Sequence, residues 1–405
     1  MALGITERTR TGTLDNVVVY INRSGATAGL HRKLVPTSMR SVSLLSELPR
    51  RRRATLIASV GGVFLVLAIT SASWVGFVGA ATVLAAAVAA GVKGFEEETV
   101  TLRHYESYIC DSARWEGFEH RLGDIVVTTP PKCGRTWMQM CCLVLVHGAV
   151  LPDRLSSLAP WLDQTVARID EVRALFEAQP HRRFIKTHTP LDGLLLSDLA
   201  TYVAVGRDPR DVAFSSGDHF RNMDVDALRR LKDAAGLEEG PPMRRPHSDD
   251  REQAFLQWVD DDTPVVRFGS RLSCTVHHLR TVWARRRDAN VELFHYADLR
   301  RDPEGQLRRL AAALGIDVPD DGWPALVEAT SLASMKQHAD DVAPNAAHGL
   351  WHDISRFFAE GRQGSWRTLF SDDALAHYER RLDELCPESD LRAWLHHGWT
   401  SSTPG

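Results

Sequence analysis

The feature that most constrains this chain is an apolar, β-branched run that passes into a lysine- and glycine-bearing loop and then into a helical stretch. Ile125-Val126-Val127-Thr128-Thr129 reads as a buried strand, residues 130–134 as a loop and residues 136–147 as a helix. A strand that feeds a helix this way aims free backbone N–H groups and the positive end of a helix dipole at one point, which makes it an anion trap. Lys132-Cys133-Gly134-Arg135-Thr136-Trp137 adds an ammonium, a flexible glycine, a guanidinium and a hydroxyl there. The order is not that of the nucleotide triphosphate loop, G-x-x-x-x-G-K-[ST], because Gly134 follows the lysine.

The rest of the region 120–397 alternates in the same manner. Strands are expected over 183–187, 201–205 and 290–295, and helices over 209–220, 272–287 and 303–314. Strands separated by helices imply an α/β fold, with a P-loop-like central parallel sheet flanked by helices. Residues 222–270, with Gly240-Pro241-Pro242 and the acidic run Asp260-Asp261-Asp262, read as a long loop or lid that shapes an acceptor pocket. The acidic run itself reads as solvated.

Charge divides the chain. Residues 1–53 carry ten Lys/Arg and three Asp/Glu, about +7 of a net charge of −4. No charged residue then occurs from Ala54 to Val92, a run of 39 positions. One bilayer span takes about 20 residues, so the run fits two short spans, reversing near Thr70, Ser71 and Ser73. Arg50 to Arg53 would hold its start on the cytoplasmic side. The expected organisation is a basic cytoplasmic arm (1–53), a hydrophobic membrane hairpin or span (54–92), a connector (93–119) and the main domain (120–397). A buried helical pair or a dispensable leader would give the same composition. The run starts too far from Met1 for a cleavable signal peptide.

With 25% charged and 44% hydrophobic residues, the chain has the composition of a globular protein. No basic stripe with interleaved aromatics marks the body, which argues against nucleic acid as a partner. The six cysteines lack CxxC spacing and clustered histidines, so they read as reduced thiols, and no metal site is expected. Oligomeric state is not legible.

At the phosphate loop the sequence resembles the PAPS-dependent sulfotransferases in their cytosolic branch, where PAPS is 3′-phosphoadenosine-5′-phosphosulfate. The family loop T-Y-P-K-S-G-T-T-W is matched by residues 129–137, with Cys133 for serine and Arg135 for the first threonine. Lys186-Thr187-His188-Thr189-Pro190-Leu191 resembles K-T-H-L-P-L, and Arg207-Asp208-Pro209-Arg210-Asp211-Val212-Ala213-Phe214-Ser215 resembles R-N-P-K-D-V-A-V-S. Tyr296-Ala297-Asp298-Leu299 resembles Y-E-D-L, Thr330 to Lys336 resembles T-S-F-x-x-M-K, and Gly361 to Arg367 resembles G-x-x-G-x-W-K. The six segments keep the family order over about 250 residues, and the first 100 lie outside the resemblance.

The resemblance implies PAPS as co-substrate, transfer of its sulfonate to an acceptor hydroxyl, and no metal. It assigns His188 as catalytic base, with Lys132 and Lys186 beside it. It assigns donor binding to Lys132, Cys133, Gly134, Arg135, Thr136, Trp137, Arg207, Ser215, Tyr296, Thr330, Ser331, Leu332, Met335, Gly361 and Arg362. Leu332 replaces a phenylalanine, and Ala359 and Glu360 replace an Arg-Lys pair before Gly361. On a strand, Lys186 and His188 would share a face. The side chains do not spell an acceptor; a membrane anchor would suit a lipid or other hydrophobic alcohol, and a phenol is the remaining option. A donor made in the cytosol places the catalytic domain of a membrane-associated protein on that side.

Other readings use the same residues. His188 is one of 17 histidines, Arg207 could pair with Asp208 or Asp211, and Trp137 and Trp366 could be structural. His277 and His278, adjacent on a helix, cannot both face one site. The chain could also be a P-loop kinase, or a membrane-tethered module that binds the nucleotide without catalysis.

Overall fold

The computed structural model describes residues 2–8, 14–21, 27–33, 102–237, 240–243, 248–358 and 363–399. It divides into a unit of Met1–Val100 and a unit of Thr101–Gly405. In the first, strands β1 (Ala2–Arg8), β2 (Leu14–Ile21) and β3 (Thr27–Lys33) form an antiparallel meander, with Ile5 opposite Val17 and Val18 opposite His31. The sequence suggests only a basic arm for this region. The β-branched and aromatic run Val17 to Ile21 carries strand propensity, and pairing on both sides satisfies its backbone. The run 54–92, read as a membrane segment, lies outside the described residues, as do Ala359, Glu360, Gly361 and Arg362. Among the described residues no helix is long and apolar enough to cross a membrane.

The second unit is built on strands β4 (Asp124–Thr128), β5 (Phe184–Thr187), β6 (Ala200–Gly206) and β7 (Val291–His295), all parallel, in the order β5-β4-β6-β7. These are the four strands expected from the sequence, within a residue or two at each end. The sheet is buried on both faces, so the strands read as continuous apolar runs. Pleating sends Ile125 and Val127 of β4 into one core and Val126 into the other.

The helices follow the same logic. Helix α1 (Arg135–His147) runs from the phosphate loop, and its apolar residues pack with Ile125, Phe184 and Val205. Helix α2 (Ile169–Ala178) buries Val172 and Phe176. Helix α3 (Pro209–Asn222) begins where Asp208 caps Arg210 N and Pro209 takes the first turn. Residues 222–270 are not a bare loop: they hold α4 (Val225–Ala234) and α5 (Arg251–Asp260), capped by Asp224 and Asp250. Helices α6 (Leu272–Trp283) and α7 (Pro303–Leu314) stand where the sequence put them, α6 ending short of residue 287. Two late helices, α8 (Asp372–Leu385) and α9 (Ser389–His397), cover the face around Val126 with Tyr378, Leu382 and Trp394.

Residues 102–119, expected as a connector, belong to the compact unit, with Tyr105, Tyr108 and Cys110 buried in it. All six cysteines are buried and free. β4, the first strand of this sheet in the chain, sits between β5 and β6; the chain steps outward from β4 to β5 on one side and from β6 to β7 on the other, so the connections diverge between β4 and β6. In such sheets the crevice beyond the carboxyl ends of the strands at this switch point is where ligands bind.

Candidate active site

The loop after β4 opens into that crevice, a cleft of about 2060 Å³. Lys132 takes a left-handed backbone, φ 67°, and Gly134 does so at φ 99° as the cap of α1. A Cβ on Gly134 would stand 2.9 Å from Cδ2 of Tyr296, so the loop also needs glycine for close approach. Lys132, Gly134, Arg135, Thr136, Trp137, Lys186, His188, Arg207, Ser215, Tyr296, Thr330, Ser331, Leu332 and Met335 all line the cleft. Five of the six segments that carry the resemblance are therefore brought to one place by the fold, while no described residue of the last, 361–367, lines the cleft.

Cys133 is the exception. Its thiol is buried in the apolar core around Val126 and burial pushes it up to about 12. Its N–H is 3.4 Å from the Pro130 carbonyl oxygen, inside the loop's own turn. Serine-to-cysteine at this position therefore changes core packing, not the cleft lining.

His188 lies just past β5. Its Nδ1 is 2.6 Å from the Thr129 carbonyl oxygen, and its Nε2 meets the Arg135 guanidinium. The ring stacks on Phe268 at 5.6 Å and meets Trp161 edge-on at 5.2 Å. Burial, then the positive charge of Arg135, hold the imidazole well below its ordinary value of 6.5, so it is a neutral base at neutral pH.

Four cationic side chains crowd this end of the cleft. Lys132 has its Nζ 3.1 Å from Nδ1 of His219 and is pulled down to about 7 by burial and by Arg207 and Arg135. Burial, followed by Arg135, holds Lys186 well below the usual lysine range, with its ammonium 4.2 Å over Trp161. Arg207 donates to the Lys132 carbonyl oxygen at 3.0 Å and lies 4.4 Å over Tyr296. Burial and the neighbouring guanidinium charges together disfavour the protonated lysines, and a bound anion relieves both, so this end of the cleft is built for a multiply charged one. The residues present fit a phosphosulfate. Tyr296 and Trp137, 5.3 Å apart and edge to face, supply aromatic surface beside it.

Other expected donor contacts have structural duties as well. Thr330 donates its hydroxyl to the Val327 carbonyl oxygen, and Ser331 caps the short helix Leu332–Gln337 through Ser334 N. Ser216, not Ser215, is the buried serine of α3, bonded to Val212 and Ser270. Trp366 packs under Arg210 at 3.8 Å, which gives it a structural role. His278 reaches Thr128 Oγ1 at 3.0 Å, beneath the site, while His277 faces Tyr105 and Asp192 outside it.

Four residues escaped the sequence reading. Trp161 is the shared platform for Arg135 and Lys186. Asp163, fully buried, accepts from the indoles of Trp161 and Trp115 and from the hydroxyls of Thr187 and Thr189, and so ties the strand end carrying His188. Phe268 and His219 complete the walls. Pro160-Trp161-Leu162-Asp163 has no periodicity or ligand spacing to flag it. Among the described residues no group of His, Cys, Asp or Glu could hold a metal.

Comparison with known proteins identifies the family. The family described as Sulfotransferase domain matches residues 122–390. A glycolipid sulfotransferase of Mycobacterium bovis is 40% identical over 308 residues, covering 73% of this chain and 94% of that protein. One from Mycobacterium tuberculosis is 41% identical over 307 residues, with the same shares covered. Among solved structures, retinol dehydratase in a complex with retinol and PAP aligns at a TM-score of 0.55 and 19% identity, over 70% of this chain and 89% of that one. A mouse sulfotransferase complexed with PAP gives 0.52 and 19%, over 70% and 90%. Those two likenesses speak for the fold. The chain belongs to the sulfotransferase family and is a PAPS-dependent sulfotransferase.

Proposed function

We propose that His188 is the general base of this transfer and that the acceptor is a hydroxyl on a lipid-like molecule, a glycolipid being the first candidate. The observation that carries the reading is the orientation of His188. The Thr129 carbonyl oxygen can only accept, so Nδ1 carries the proton and Nε2 offers the lone pair to the cleft. Nε2 takes the acceptor hydroxyl proton, the hydroxyl oxygen bonds to sulfur, and the bond from sulfur to the bridging oxygen breaks. Lys132 and the loop N–H groups stabilise the charge left on the departing phosphate. Lys186 neutralises sulfonate oxygens, and Arg207 with Ser215 holds the 3′-phosphate.

The acceptor class rests on an apolar part of the cleft wall. Tyr108, Val166, Met223, Leu228 and Leu350 form an apolar cluster of their own, extended by Ile109, Met243 and Trp351, and these residues line the cleft. An apolar wall leading to a cationic centre suits an alcohol with a long hydrocarbon part. The related mycobacterial proteins are named glycolipid sulfotransferases, which supports the same choice.

The uncharged run 54–92 fits this acceptor, since a membrane anchor with the catalytic unit on the cytoplasmic side would bring the cleft to lipid. Labelled sulfate transferred from PAPS to a panel of glycolipids, simple phenols and sterols tests the acceptor. Transfer to phenols alone would overturn the lipid reading. Protease access to Arg50 and Arg367 from the same face of sealed vesicles tests the topology.

A further inference from the structure

The last turn of α3 carries His219 to the phosphate loop, with its Nδ1 3.1 Å from Nζ of Lys132. An ammonium only donates, so Nδ1 is the acceptor and Nε2 keeps the ring proton. His219 stands four residues beyond Ser215 on α3, and both line the cleft. Its ring lies 4.9 Å from Trp351 and 6.0 Å from Phe357, which are themselves 4.9 Å apart. The end of α3 is stitched to the same segment. Asn222 accepts from the N–H groups of His352 and Asp353, each at 2.9 Å, and donates to the Asp353 carbonyl oxygen at 2.8 Å. Trp351 in turn donates its indole N–H to the Pro344 carbonyl oxygen at 2.8 Å. His219 is thus a rigidly mounted group facing a flexible one.

Lys132 needs such a partner. Its backbone is fixed at φ 67°, with its carbonyl oxygen held by Arg207 at 3.0 Å, but its ammonium rides on a four-carbon stem. The Phe357 ring, 5.4 Å from Nζ, gives it a surface and no direction. A carboxylate would fix the ammonium and also neutralise the charge that the leaving phosphate requires. A neutral imidazole takes one N–H and leaves that charge available. Burial, then the charges of Lys132, Arg135 and Lys186, hold His219 well below 6.5, so the ring stays neutral. Asp218, the carboxylate whose charge reaches Lys132, pairs instead with Arg221 at 2.9 Å and Arg251 at 3.6 Å. Two of the three ammonium N–H bonds remain for the donor, so this contact and a bound donor are compatible.

We propose that His219 is a positioning residue for Lys132: it accepts one ammonium N–H and so aims the other two at the bridging oxygen, where charge builds as the bond to sulfur breaks. The proposal rests on the leaving-group role of Lys132. In the bound donor any phosphate oxygen satisfies an ammonium, whereas in the transition state the charge develops on one oxygen. A loosely held Lys132 therefore costs turnover more than binding.

The test compares the full-length protein with His219→Phe, which keeps an aromatic ring but loses the acceptor, and with His219→Asn, whose amide oxygen stands near the place of Nδ1. Formation of adenosine 3′,5′-bisphosphate (PAP) from PAPS is followed with a glucosylated lipid, with 2-naphthol and with water alone as acceptors, since the same bond to sulfur breaks in all three. His219→Phe should lower kcat about tenfold, the loss of a bond worth about 1.4 kcal/mol, while PAP affinity changes less than about threefold. Without the acceptor the ammonium is less favoured, so the basic limb of kcat should move down by up to about one pH unit. His219→Asn should recover most of both, and a ring that served packing alone would leave the limb in place. His219→Leu stands in if the phenylalanine variant does not fold. An unchanged kcat and basic limb in a folded variant without the acceptor, or no recovery in His219→Asn, would overturn the proposal. Lys132→Met is assayed in parallel: retained transfer would remove the leaving-group role of Lys132, whereas lost transfer beside a normal His219→Phe removes only the positioning.

Discussion

The carbonyl oxygen of Thr129 sits 2.6 Å from Nδ1 of His188 and so decides which ring nitrogen faces the cleft. His188→Ala should lower kcat by about 10²–10⁴ with the thermal midpoint little changed, the usual range for a lost general base. Burial and Arg135 hold the ring below 6.5, so the base form is populated throughout neutral pH. The acid limb of kcat/KM should therefore lie below pH 6.5, and a limb at or above that value, measured between pH 5 and 9, would count against the assignment.

Lys132 gives a second pH signature. Its ammonium is held down to about 7 by burial and by Arg207 and Arg135, and a bound anion raises it again. Donor binding above pH 7 must then take up a proton, and PAP affinity should weaken as pH rises from about 7 toward the bound-state value. Calorimetry at pH 8 in two buffers of different ionisation enthalpy measures this uptake directly. A depressed lysine also costs the empty fold stability: the penalty is full below about 7 and fades as pH rises toward the unfolded value of 10.5. Lys132→Met should accordingly stabilise the empty protein by roughly 1–3 kcal/mol at pH 6 while abolishing PAP binding.

Asp163 should behave as a positioning residue. Its carboxylate gathers four donors from three segments, the indoles of Trp115 and Trp161 and the hydroxyls of Thr187 and Thr189. Asp163→Asn keeps the shape but turns one acceptor oxygen into an NH₂ facing donors. That should cost roughly 2–4 kcal/mol of stability, as for a buried network broken on one side. Because Trp161 carries Arg135 and Lys186, kcat should also fall, with the acid limb of the profile shifted, a change that general destabilisation would not produce.

Much of this architecture was legible because local and global signals agree. The four parallel strands are continuous apolar runs, as burial on both faces demands, and Asp208-Pro209 marked the start of α3. The helices α4 and α5 were read as a loop because Gly240-Pro241-Pro242 and the acidic run dominate that stretch. Their caps, Asp224 and Asp250, were the available signal. Asp260 and Asp262 proved to pair with His377 and Arg381 across 117 and 119 residues, a relation no local pattern contains. Trp161 and Asp163 were missed for the same reason, since their partners converge only once β5 lies beside β4.

Two arginines of one motif should separate cleanly. Arg207 lines the cleft over Tyr296, whereas Arg210 forms a two-pronged pair with Asp208, reaches Glu379 at 3.2 Å and lies over Trp366. Arg207→Ala should weaken PAP binding about 10–100-fold, roughly the loss of a charge-assisted fork. Arg210→Ala leaves Asp208 buried without its partner and should instead lower stability by roughly 2–4 kcal/mol. Thermal melts with and without PAP measure both terms in one experiment.

Gly134 joins backbone geometry to donor binding. At φ 99° any side chain is strained, and a new Cβ would lie 2.9 Å from Tyr296 Cδ2. Tyr296 has little freedom to withdraw, since Trp137 meets it at 5.3 Å and Arg207 covers its ring at 4.4 Å. Gly134→Ala should therefore cost about 1–3 kcal/mol and displace the loop from its cradle shape, weakening PAP binding about tenfold or more. Adding Tyr296→Leu removes the clash but not the dihedral strain, so the double variant should recover stability in part without recovering PAP affinity. If Gly134→Ala bound PAP as tightly as wild type, the loop after β4 would not be the anion cradle, and the cluster of cations around it would need another ligand.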